Sequence, residues 1–155
     1  MSVRGRLDPH TGFGLWIFII DWSLGRRSLE GIREFIRMKR VPKNLEECFL
    51  ILEQVLDEET IKQFKAMEEK DMMATTHHSL GRWFRNNYGL WNNKSVLCIW
   101  FKEEFGIVHA DDISGIILTS FHRKLNAKEI NVEEQVQYYK NWWEGRGRVT
   151  LVESD

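Results

Sequence analysis

A chain of 155 residues, 43% hydrophobic and 29% charged, is long enough to close one core and has the balance of a globular protein, not a disordered one. Its formal net charge of −1 excludes the broad basic field that draws in nucleic acid and leaves no acidic excess to keep the chain open. Cys48 and Cys98 are the only cysteines; each lies inside an apolar helical pattern, which excludes a disulfide framework or a cysteine zinc set and gives a cytoplasmic location as the expectation.

The first 41 residues form a leader of their own kind. Phe13-Gly-Leu-Trp-Ile-Phe-Ile-Ile20 is apolar but less than half of the roughly 20 residues that span a bilayer, and it runs straight into Asp21. Arg4 and Arg6 precede it as in a signal peptide, yet no small-residue cleavage site follows. Trp16, Ile17, Ile20 and Leu24 share one helical face, and Arg26, Arg27, Arg33, Arg37, Lys39 and Arg40 follow them. An aromatic anchor with basic residues suits a membrane interface. The preferred reading is that the stripe covers the helical core or a subunit interface. Gly12, Gly14, Gly25 and Gly31 weigh against one continuous helix here. Residues 1–44 carry nine Lys/Arg against four Asp/Glu, whereas residues 45–76 carry three against nine, so the two segments have opposite charge.

Val41-Pro42-Lys43-Asn44 marks the boundary, because proline disfavours helix in the residue before it and Asn44 is a good N-cap. Leu45, Cys48, Phe49, Leu52 and Leu56 then recur at helical steps on one face. Ile61, Phe64 and Met67 continue a second, highly charged helix that ends in the region Met72 to His77. Leu80, Trp83, Phe84 and Asn87 trace a third, closed by Tyr88-Gly89. Ser95 caps a fourth helix, Val96 to Phe105, apolar nearly all round and expected at the centre of the core. Asp111 or Asp112 caps a fifth, carrying Ile113, Ile116, Ile117, Phe121 and Leu125 and stopping at Asn126. Asn131-Val-Glu-Glu134 has the spacing of a capping box and opens a sixth, whose buried stripe is Val132, Val136, Tyr139 and Trp143 and whose end is Gly145. The expected fold is all-α, a compact bundle of about six helices over residues 42–145. A tail, 146–155, contains the β-favouring run Val149-Thr-Leu-Val152.

Polar residues are most ordered on the third and fifth helices. His78, Arg82, Arg85 and Asn86 fall at three- and four-residue steps, and two guanidinium forks with Trp83 and Trp91 nearby suit a planar anion. Asp112, Gly115, Thr119 and His122 form a second stripe, with Gly115 leaving room for a close approach. The competing reading has Arg82 and Arg85 paired with the acidic second helix. His109, Asp111, Asp112 and His122 offer imidazole and carboxylate for metal or acid–base work together with His77 or His78. However, His122 lies about three turns beyond Asp111, roughly 15 Å at about 1.5 Å per residue, so they do not meet. Adjacent His77 and His78 point apart, leaving one exposed. No metal or cofactor is expected, and no phosphate-binding glycine loop, nucleophile elbow or Cys–His pair marks an enzyme.

Two stretches, Ser79-Leu-Gly-Arg-Trp-Phe-Arg-Asn-Asn-Tyr-Gly-Leu-Trp91 and His109-Ala-Asp-Asp-Ile-Ser-Gly-Ile-Ile-Leu-Thr-Ser-Phe-His-Arg-Lys-Leu-Asn126, together resemble a family of small bacterial domains of unknown function. The resemblance covers roughly Pro42 to Trp143 and leaves out residues 1–40. Ala110 stands where the family usually has proline. The resemblance implies a bacterial or phage-like origin and one domain holding both motifs, and it brings no activity or catalytic residue.

Two functions follow as expectations. The first is a non-catalytic interaction domain, immunity- or adaptor-like, that binds another protein through aromatic and arginine side chains, which are frequent at interface hot spots. The alternative is a pocket between the third and fifth helices for a phosphate-bearing or nucleotide ligand, lined by His78, Arg82, Arg85, Asn86, Trp91, Asp112, Thr119 and His122.

Overall fold

The computed structural model describes the backbone of residues 41–152 and the side chains as far as Arg146. The leader, with its aromatic stripe and basic run, lies outside the described residues. All regular structure among those described is helical.

Helix α1, Leu45–Val55, starts where the sequence places it. Extended Asn44 accepts the Glu47 N–H at 3.0 Å, and the Glu47 carboxylate accepts the Lys43 N–H at 2.9 Å. Leu45, Cys48, Phe49 and Leu52 are buried along its inner face. Leu56 turns extended, and Asp57 caps α2, Glu58–Ala66, by accepting the Thr60 N–H at 2.8 Å.

The second helix does not continue into the Met72 region as the sequence suggests. Met67 and Glu68 are extended, and a new helix, α3 (Glu69–Thr76), begins after them. It passes through a π-helical turn, His77–Gly81, straight into α4, Arg82–Asn87. The expected boundary near His78 is therefore a widened turn inside one rod. Hydroxyls return to backbone carbonyls there: Thr76 Oγ1 donates to Met72 O at 2.8 Å and Ser79 Oγ to Thr75 O at 3.3 Å, the kind of local competition that loosens a regular helix. Gly81 fits the turn because a Cβ on it would stand 3.0 Å from Arg85 Nη1.

Gly89, left-handed at φ 64°, ends the rod and leads through a 3-10 turn, Leu90–Asn92, to α5, Val96–Phe105. Ser95 Oγ accepts the Cys98 N–H at 3.2 Å, and left-handed Gly106 closes the helix. This helix is not central. Leu97, Cys98 and Phe101 are buried, but Val96 and Ile99 remain 51% and 43% exposed.

The centre belongs to α6, Ala110–Leu125, buried continuously from Asp112 to His122 and packed against α1, α2, α3, the π turn, α4 and the last helix. Ser114, Thr119 and Ser120 hide a fully enclosed helix behind a modest hydropathy, whereas exposed Val96 and Ile99 inflate that of α5. Neither Asp111 nor Asp112 is its cap. His109 holds the N-cap position and both aspartates sit in the first turn, where carboxylates suit the positive end of the helix dipole.

Helix α7, Val132–Val152, opens with Asn131 Oδ1 accepting the Glu134 N–H at 3.2 Å. It does not stop at Gly145, and the run Val149–Val152 is helical instead of extended. Glycine inside a helix costs about 1 kcal/mol relative to alanine and ends one reliably only where it turns left-handed, which Gly145 does not. With α3, the π turn and α4 taken as one rod, the bundle has six rods among the described residues. Cys48 and Cys98 are buried thiols, and no helix there is long and apolar enough to cross a membrane.

Candidate interaction surface at the start of the central helix

Arg85 on α4 is only 3% exposed, so its guanidinium must be satisfied inside the protein. Nη1 donates to Ser114 Oγ at 2.9 Å and Nη2 donates to the His77 carbonyl at 3.1 Å. Nε stands 3.2 Å from Asp111 Oδ1 in an ion pair whose angle is not that of a hydrogen bond. The Ser114 hydroxyl in turn donates to the Asp111 carbonyl at 2.9 Å. Arg85 therefore clamps the π turn to the first turn of α6. The expectation that Arg82 and Arg85 pair with the acidic second helix is corrected: Arg85 pairs with α6, and Arg82 lies exposed. Arg123 takes the acidic partner, meeting both carboxylate oxygens of Glu69 at 3.0 Å.

Around this clamp the structure gathers several titratable groups. His77 Nε2 lies 3.8 Å from Asp111 Oδ1, and burial together with the Arg85 charge holds the imidazole below its ordinary value of 6.5. His109 Nδ1 lies 3.9 Å from both Asp111 Oδ2 and Asp112 Oδ1. His78 is the exposed member of its pair, its ring edge-on to His77. Asp112 is buried, which raises its carboxyl above the ordinary range, and its Oδ2 accepts the Trp143 indole N–H at 2.8 Å. Gly115 on the same side is where Tyr139 lies against the α6 backbone: a Cβ there would overlap the tyrosine hydroxyl.

Aromatic side chains flank the cluster. On one side Trp91, 57% exposed, donates its indole N–H to Asn86 Oδ1 at 3.0 Å and has its ring 5.5 Å from the Arg85 guanidinium. On the other, Trp143 packs 5.1 Å from the His109 ring and edge-on to Trp142, over which the Arg146 guanidinium sits at 3.9 Å. Tyr138, one turn earlier on α7, is also exposed. Trp91, Arg85, Asp111, His109, Trp143 and Trp142 are thus linked pairwise, each to the next, at the N-terminal end of α6.

Of the residues singled out from sequence, Arg85, Asn86, Trp91 and Asp112 meet here, with His78 beside them. Thr119 and His122 do not. They lie two and nearly three turns further along α6, and His122 bonds to the Met67 carbonyl at 2.9 Å. A carbonyl only accepts, so His122 carries its proton on Nε2, where it satisfies the group freed by the break between α2 and α3. Sequence reasoning missed Ser114 and the pairing role of Asp111; the signal available was their i,i+3 spacing at the start of a buried helix. Among the described residues no group of three or more His, Cys, Asp or Glu side chains is disposed to hold a metal ion.

Residues 41–125 match the family described as a domain of unknown function, DUF6794. The match takes in more than half of the chain, and the protein belongs to that family. No curated protein and no solved structure matches the chain. Helix α7, which supplies Tyr138, Trp142 and Trp143, lies beyond the matched segment.

Proposed function

We propose that the protein is a non-catalytic interaction domain of the bacterial cytoplasm, which binds another protein through the aromatic surface at the N-terminal end of α6. The carrying observation is a division of labour among side chains. The groups that a small anion would need are engaged internally, Arg85 by Ser114, His77 and Asp111, and His122 by Met67. Trp91, Tyr138, Trp142 and Trp143 instead remain exposed around a polar centre, a composition in which a few large aromatic residues carry most of the binding energy. Two free, buried cysteines suit a reducing compartment, and the two motifs suit a bacterial source.

The test compares the proteins retained by the full chain with those retained by the chain carrying Trp91→Ala and Trp142→Ala. A specific partner lost from the variant, whose melting temperature stays close to that of the parent, supports the reading; retention independent of both tryptophans sinks it. The phosphate or nucleotide pocket is the second reading. Among the described residues named for that pocket, Arg82 is the exposed arginine, so a nucleotide that raises the melting temperature of the parent but not of Arg82→Ala would restore it.

A further inference from the structure

Helix α5 turns a stripe outward that the other described residues leave open. Val96, Ile99, Trp100 and Glu103 stand at i, i+3, i+4 and i+7 on the side away from buried Cys98 and Phe101. Val96, Ile99 and Glu103 are exposed, and Trp100 is held partly buried by edge-on contacts with the Phe101 ring at 5.0 Å and the Phe105 ring at 5.3 Å. The two ends of the stripe carry opposite charge. Exposed Lys94 precedes the Ser95 cap, whereas exposed Glu103 and Glu104 outnumber Lys102 in the last turn. Both placements oppose the helix dipole, which favours acid at the N-terminal end and base at the C-terminal end. Among the described residues Lys94, Glu103 and Glu104 enter no ion pair that would offset this.

We propose that this stripe is the contact between two copies of the chain, which pair their α5 helices antiparallel about a two-fold axis. The stripe is complementary to itself only in that arrangement. Turning a second copy end for end brings its acidic end to Lys94 of the first, and symmetry repeats the contact at the other end. A parallel pair sets like charges side by side. With the crossing between Ile99 and Trp100, each Ile99 meets the partner's Trp100, and each Lys94 lies within one helical turn of the partner's Glu103 and Glu104. Lys102 lies about 100° around the helix from Glu103 and so falls beside the contact, not in it. Each acidic end also meets the positive end of the neighbouring helix, so charges that oppose their own helix dipole favour that of the partner. Val96, Ile99 and Trp100 leave water on both copies at once. None of these residues belongs to the aromatic surface at the start of α6, so the pairing stands or falls separately from the proposed function.

The test is sedimentation equilibrium of the full chain and of two charge variants, Lys94→Glu and the double variant Glu103→Lys with Glu104→Lys. The parent approaches dimer mass as its concentration rises. Each variant alone dissociates about tenfold more readily, because it sets like charge against like at both ends of the pair. An equimolar mixture of the two variants recovers the parent's affinity, since acid then meets base at both ends of the mixed dimer; variants that had merely failed to fold would give no such recovery. A parent that stays monomeric at its highest soluble concentration overturns the proposal, and a melting temperature that then falls with Ile99→Asp would assign the stripe to another part of the same chain. A dimer indifferent to the charge variants, or a mixture that does not recover, overturns it equally.

Discussion

Trp143 on α7 donates its indole N–H to Oδ2 of Asp112, in the first turn of α6, at 2.8 Å. A buried carboxylate is costly unless it is bonded, and here the donor comes from a helix beyond the family-matched segment. Trp143→Phe keeps a ring beside His109 and removes only the donor. The expected loss is about 1–2 kcal/mol in urea unfolding, toward the low end for a charged acceptor because the indole is partly exposed. Asp112→Asn, which keeps an acceptor and discards the buried charge, costs less than Asp112→Ala.

Gly115→Ala places a methyl against the Tyr139 hydroxyl. Overpacking of this kind costs about 1–3 kcal/mol. Adding Tyr139→Phe removes the overlapping oxygen and recovers part of the loss, so a double-mutant cycle on melting free energies shows coupling between two residues 24 positions apart.

Arg85→Met leaves Asp111 without its guanidinium and frees the His77 carbonyl from its donor. A loss of about 2 kcal/mol is expected, below that of a fully buried pair because Asp111 is partly open to water. Arg85→Lys recovers little, since a single ammonium does not reproduce three nitrogens directed at Ser114, His77 and Asp111.

Acid destabilises the fold in two stages. His77 is held below its ordinary value of 6.5, so the unfolded chain binds this proton more readily and stability falls as the pH drops below 6.5. Glu69, held below its ordinary value of 4.5 by its hydrogen bonds from Arg123, adds a second loss as the pH falls through its depressed range. Asp112 acts in the opposite sense, since its raised carboxyl takes up a proton more readily in the folded state. Denaturation midpoints against pH check the signs: His77→Asn flattens the upper limb and Glu69→Gln the lower one.

Caps and apolar spacing were legible in the sequence because they depend on near neighbours. Asn44, Ser95 and Asn131 each cap the helix expected of them, and Gly106 and Asn126 end theirs. What local pattern does not encode is which neighbour an element finds. Met67 breaks a helix whose freed carbonyl is met by His122, 55 residues later, and Arg85 finds Asp111 and Ser114 on another rod. The ranking of α5 and α6 failed for the same reason, because Ser114, Ser120 and Asp112 are buried by their partners and not by their own hydropathy. The candidate site was half legible: Arg85, Asn86, Trp91 and Asp112 were in view, but their mutual pairing was not.

The most direct test of the central claim is the affinity of a captured partner, measured by calorimetry, for alanine variants of the full chain at Trp91, Tyr138, Trp142 and Trp143. Losses of about tenfold or more, roughly 1.4 kcal/mol, at two or more of these positions, with Arg82→Ala and Ile99→Ala unchanged, are predicted. Weakening confined to Arg82 or to the α5 face, with all four aromatic variants binding as the parent does, would contradict it.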